Sequence, residues 1–154
     1  MSIETAIAAT AAVPVPKPAQ WLGGSYTIAV STPGASLGAF ESVIAAGEGP
    51  PLHVHHGEDE AIQVIDGDVD FWLDGQITRL GSGQGVFLPR SVPHCFRVAG
   101  HRPARLLGMV TPGGFEGFFA AAAAAGVGPH DPGALAAFGR QWRVEFLGPP
   151  PFAR

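Results

Sequence analysis

From Trp21 to Val110 the chain is cut every eight to twelve residues by Gly, Pro or Asp, and that interval limits the length of any regular element there. The pieces between cuts are rich in Val, Ile, Phe and Thr: SYTIAVS, GAFESVIAA, LHVH, AIQVI, DVDFWL, QITRL, GVFLP, HCFRV and ARLLGMV. Runs of this length and composition read as β-strands. Asp-Gly pairs at 66–67 and 74–75 are hairpin signals. A parallel pairing needs a crossover of about a dozen residues or more, and no helix-length segment separates these runs. The nine strands predict an all-β fold, an antiparallel sandwich or barrel.

The flanks have another character. Residues 1–20 open Ala-rich and continue as VPVPKP, whose prolines favour an extended arm over a helix. After Thr111, the segment TPGGFEGFFAAAAAAG places Phe115, Phe118 and Phe119 at helical spacing ahead of an Ala run and a Gly stop. A second helix is expected over DPGALAAFGRQW, with Asp131 as N-cap and Pro132 in its first turn. The expected organisation is an arm over 1–20, a β domain over 21–112 and a helical extension over 113–154 that packs on it. A chain of 154 residues suits one such domain, burying roughly 70% of its unfolded surface.

Charge narrows the partners. The net charge is −4, and the nine basic residues are scattered apart from a loose group at Arg90, Arg97, Arg102 and Arg105, so no nucleic-acid partner is expected. That group reads as the polar side of strands. Cys95 stands alone, which excludes an intrachain disulfide and fits a reduced, cytoplasmic setting. No window reaches the roughly 18 apolar residues of a membrane span, and the start lacks a basic n-region. A cytoplasmic chain without membrane contact is the expectation.

Against a background of only 14% charged residues, HVHHGEDE places three histidines and three acids in eight positions, 53–60. His53 and His55 lie two apart in a strand run, so both imidazoles leave the same face. A turn through His56 to Asp59 can return Glu60 over that face. His94 comes from another strand, sharing a face with Phe96 and Val98 while Cys95 and Arg97 take the other. Three imidazoles and one carboxylate suit a first-row divalent metal with a coordination position left open. Glu58 and Asp59 compete with Glu60 for the carboxylate role; the spacing to Gly67 favours Glu60 and leaves the other two as turn charges. His56 points away, and His101 and His130 sit in loops without assigned chemistry.

The spacing Gly47, His53, His55, Glu60, Gly67, followed by Gly83, Pro89 and His94, resembles the two signature motifs of the cupin superfamily. Ser91 stands where the family usually shows Gly, and Val98 where it often shows Asn. The resemblance implies an antiparallel jelly-roll barrel with short C-terminal helices and a metal at its mouth, held by His53, His55, Glu60 and His94. The barrel wall would include Ile62, Val64, Phe71, Phe87 and Phe96. The tail, TPGGFEGFF with VEFLGPPP, resembles small single-domain quercetin dioxygenase-like cupins. The implied activity is a metal-dependent dioxygenase acting on a small aromatic or enolisable hydroxy-ketone, with Glu60 as ligand and base. A metal-dependent lyase or isomerase and a non-catalytic small-molecule-binding barrel are the alternatives on the same scaffold. One divalent ion per chain is expected, any of Fe, Mn, Ni, Co, Cu or Zn. A homodimer is expected from the sheet edges, the arm and the three Phe residues, which need cover.

Overall fold

Asp74 and Gly75 adopt positive φ values of 45° and 87°, and Leu73 stands opposite Gln76. Left-handed residues at both positions make the two-residue turn that Asp-Gly favours, closing a hairpin. The pair at 66–67 behaves differently. Gly67 also has a positive φ, 95°, but the strands on either side of it lie in different sheets, so this turn is a corner between sheets and not the expected hairpin.

The computed structural model describes residues 17–31 and 36–152. Among them are eleven strands: β1 Ala19–Trp21, β2 Gly24–Ser31, β3 Gly38–Ile44, β4 Leu52–His55, β5 Asp59–Asp66, β6 Asp68–Leu73, β7 Gln76–Gly81, β8 Gly85–Leu88, β9 His94–Val98, β10 Ala104–Thr111 and β11 Val144–Gly148. They form two antiparallel sheets ordered β1-β2-β3-β10-β5-β8 and β11-β4-β9-β6-β7, an all-β jelly roll. The expected arm falls mainly on residues 1–16, outside the described residues; its end contributes β1.

Alternation explains the core. On β5, Glu60, Ile62 and Val64 turn inward while their neighbours face out. Ile62 and Val64 meet Phe71, Phe96 and Val98 of the second sheet in one buried hydrophobic cluster. Phe87 departs from the expected barrel wall. Val86 and Leu88 stand opposite Ile62 and Glu60, so the parity of β8 sends Phe87 outward, where it is 59% exposed. Three consecutive apolar residues in GVFL left that parity open in the sequence.

A 3₁₀ turn at Phe115–Gly117 leads into α1, Phe118–Ala125, which ends on Gly126 in the left-handed conformation, φ 66°. A second helix, α2, covers Pro132–Gln141; the Asp131 side chain accepts a hydrogen bond from the Ala134 amide, the expected N-cap. Phe115, Phe118 and Phe119 are buried within the chain. Phe119 stacks on Tyr26 with centroids 3.9 Å apart, and Phe118 meets Trp21 edge-on at 5.1 Å. The aromatic start of the extension thus finds cover on its own barrel. Beyond α2 the chain does more than cap the barrel: β11 pairs antiparallel with β4, placing Phe146 opposite His53.

Candidate metal centre

The site is assembled across the two sheets. β4 presents His53 and His55 on its inner face, β9 sets His94 directly opposite His53, and β5 brings Glu60 from the other sheet. One ligand atom from each of these four side chains lies within 4.8 Å of the other three, and all four residues are buried. Ser91 closes the loop before β9 with φ 64°, the left-handed geometry that glycine adopts most easily, and its amide donates to the His55 carbonyl at 2.7 Å. The loop carrying His94 is thereby tied to the strand carrying His55.

Hydrogen bonds behind the rings orient them. His53 Nδ1 lies 2.8 Å from the Pro51 carbonyl and His94 Nδ1 lies 3.0 Å from the Val92 carbonyl. A carbonyl only accepts, so each Nδ1 carries the proton and each Nε2 presents a lone pair to the cluster. Among the described residues His94 Nε2 has no hydrogen-bond partner, and it stands 3.3 Å from Glu60 Oε2; His55 Nε2 stands 3.8 Å from the same oxygen. A buried lone pair facing a buried carboxylate has no proton to share, whereas a cation between them satisfies both. The donor set fits one divalent ion.

The protonation states agree with this. Burial, reinforced by the neighbouring His94 and His55, holds His53 well below the usual imidazole range, so it stays neutral. Burial opposes ionisation of Glu60, but positive charge beside it outweighs burial: with no metal bound, a proton on the His94 or His55 ring stands in for the cation and holds the carboxyl below its ordinary value. Cys95, on the other face of β9, has its thiol pushed up to about 12 by burial and takes no part.

Residues outside the cluster sort clearly. His56 is exposed and lies 3.0 Å from Glu145. Asp59 is the expected turn charge, paired with Arg90 at 2.9 Å, and Arg105 pairs with Glu41 at 3.0 Å. Glu58 is not a turn charge: it is buried, with Oε2 3.4 Å from His55 Nδ1. Its burial follows from the turn at 56–58, which sends the side chain inward behind His55; the run of three acids in GEDE conceals that direction.

Sequence reasoning placed Phe96 on the barrel wall but missed the other walls of the chamber. A small cavity of about 40 Å³ beside His53 and Glu60 is lined by Tyr26, Ser42, Phe96, Phe115 and Phe146 among others. Burial and the Glu60 charge keep the Tyr26 phenol protonated, its pKa raised. Phe115 sets its ring edge-on to His55 with centroids 4.3 Å apart. Phe96 and Phe146 also line a groove of about 760 Å³ formed with Gly47, Pro51, Leu135 and Pro149, so two rings separate the groove from the chamber. The alternation in VEFLG was the available signal for Phe146.

The sequence model of the cupin domain matches residues 40–110, the span that holds all four clustered side chains. Residues 40–110 form a cupin domain. Over 87 residues the chain is 37% identical to quercetin 2,3-dioxygenase of Bacillus subtilis (strain 168), covering 54% of this chain and 26% of that protein. Over 71 residues it is 30% identical to the polyketide synthase CurC of Streptomyces cyaneus, covering 46% of each. The chain thus spans between a quarter and a half of these relatives. An RmlC-like cupin from Shewanella frigidimarina superposes with a TM-score of 0.57 at 20% identity, covering 62% of this chain and 83% of that one. This last likeness carries the cupin fold alone.

Proposed function

We propose that this cupin is a metal-dependent dioxygenase of the quercetinase type, acting on a small aromatic or enolisable hydroxy-ketone. The observation that carries the reading is the shared chamber: the Glu60 carboxylate and the His53 imidazole open onto one cavity with aromatic walls. The 37% identity to a quercetin 2,3-dioxygenase over 87 residues supports the reaction class.

His53, His55, His94 and Glu60 would hold the ion. A metal there would supply Lewis-acid stabilisation of the substrate's oxygen anion. Glu60 is ionised and accepts the proton of the substrate hydroxyl at a carboxylate oxygen. Phe115 and Phe146 exclude water around the imidazoles. The chamber alone, at about 40 Å³, holds little more than a water, so the body of the substrate lies toward the 760 Å³ groove, past Phe96 and Phe146.

A second reading, carbonyl polarisation and proton transfer without oxygen, is favoured by the 30% identity to a polyketide synthase. Oxygen-electrode traces with a flavonol and hydroxy-ketone panel decide between them: oxygen uptake matched to substrate loss supports the dioxygenase, and substrate turnover without uptake supports the alternative.

A further inference from the structure

We propose that Glu58 is a positioning residue that sets the tautomer of His55 and so aims its Nε2 at the metal. The inference rests on the metal-centre reading. Three observations carry it. First, the three histidines are oriented by two different devices. His53 and His94 each place Nδ1 on a backbone carbonyl two residues earlier, at 2.8 and 3.0 Å. Among the described residues no carbonyl accepts from His55 Nδ1; the group behind it is the Glu58 carboxylate, 3.4 Å away. Second, His55 Nδ1 and Glu58 Oε2 are both buried, and neither makes a hydrogen bond among the described residues, their own 3.4 Å approach being a close contact short of hydrogen-bond geometry. Each is the remaining candidate to satisfy the other. Third, Glu58 is buried in a charged turn whose other polar side chains reach outward, His56 exposed and Asp59 paired with Arg90.

The chemistry follows from the inventory of donors. A carboxylate only accepts, so it selects the His55 form with hydrogen on Nδ1 and leaves the Nε2 lone pair pointing at Glu60 and His94. A carboxylate behind a ligating imidazole also raises the ligand's basicity, and losing such a partner typically costs about 10–100-fold in metal affinity. Backbone carbonyls do this for the other two rings and no substitution removes them. His55 is therefore the ligand whose orientation depends on a replaceable side chain.

The test uses the full chain, with Zn²⁺ as the probe, in competition with a chromophoric chelator, together with ¹⁵N spectra of the imidazoles in chelator-treated protein. Wild type is expected to show all three ligand histidines protonated on Nδ1. Glu58→Ala should move His55 toward the Nε2-protonated form, leave His53 and His94 unchanged, and weaken Zn²⁺ binding about 10–100-fold. Glu58→Gln keeps an oxygen acceptor and should lose less of both. Should Glu58→Ala fail to fold by circular dichroism, Glu58→Met, which keeps the bulk and removes the acceptor, carries the comparison with the same tautomer shift expected. A wild-type His55 tautomer in the variant that lacks the acceptor overturns the proposal, whether affinity falls or not, because weakened binding without a tautomer change means only a packing role. Wild type that binds no Zn²⁺ removes the metal reading instead, and the tautomer spectra still decide the role of Glu58.

Discussion

His94 Nε2 and Glu60 Oε2 face each other at 3.3 Å from opposite sheets of the jelly roll, His94 on β9 and Glu60 on β5. A ligand bound by both closes the sandwich at that point. Binding energy at this site is therefore also folding energy.

Metal loading is expected to raise the thermal midpoint. At a free metal concentration about 100 times Kd the native state gains about 2.7 kcal/mol. For a chain of this size that corresponds to roughly 5–10 °C. Calorimetry with and without a chelator measures it; coincident midpoints would show that the two sheets are not joined through the site.

Glu60→Gln should separate binding from chemistry. Three imidazoles remain, so partial metal occupancy is expected, while the proton acceptor is gone and turnover should fall by about 10²–10⁴-fold. Metal content and oxygen uptake measured on one preparation check it. Unchanged turnover would exclude Glu60 as the base.

Ser91→Gly should stabilise the protein. Ser91 holds φ 64°, a conformation that costs an L-residue on the order of 1 kcal/mol and glycine little. Glycine's larger unfolded-state entropy offsets part of the gain, leaving a net stabilisation of up to about 1 kcal/mol. Urea unfolding reads it, and metal affinity should stay put because the Ser91 amide bond to the His55 carbonyl is retained. A destabilised variant would mean that the Ser91 hydroxyl has a stabilising role.

Acid should weaken the metal-free fold through His53. Its folded-state pKa lies well below 6.5, so below about pH 6.5 the unfolded chain binds a proton that the native state refuses. Stability is then full above pH 6.5 and falls as pH drops toward the folded value, by at most about 1.4 kcal/mol per pH unit for one group. Chelator-treated wild type and His53→Asn, unfolded in urea between pH 7.5 and 5, supply the comparison. The variant should show the shallower decline; parallel curves would assign the dependence to other groups.

Much of this was legible because period-2 alternation and ligand spacing are local. LHVH puts His53 and His55 on one face in any strand, and the step to Glu60 is a single turn. Asp131 and Gly126 mark helix ends for the same local reason. What was hidden depends on partners distant in sequence. The parity of GVFL is set by the register of β8 against β5, which turned Phe87 outward. The Asp66–Gly67 turn became a corner because β6 pairs with β9 and β7 instead of β5. Phe146 reaches the site only because β11 returns to pair with β4, 89 positions from Glu145 to His56 at its edge. Glu58 reads as one acid in a charged turn until the turn's direction is known.

The central claim is that His53, His55, Glu60 and His94 together hold one divalent metal. Metal-to-chain ratio after anaerobic purification, and after reconstitution with Fe, Mn, Ni, Co, Cu or Zn in turn, tests it most directly when wild type and His94→Ala are measured side by side. A ratio near one is expected for wild type with at least one of these ions, and a sharp loss in a His94→Ala variant whose circular dichroism shows an intact barrel. Full occupancy in His94→Ala, or no retained metal in wild type with any of the six, would contradict it.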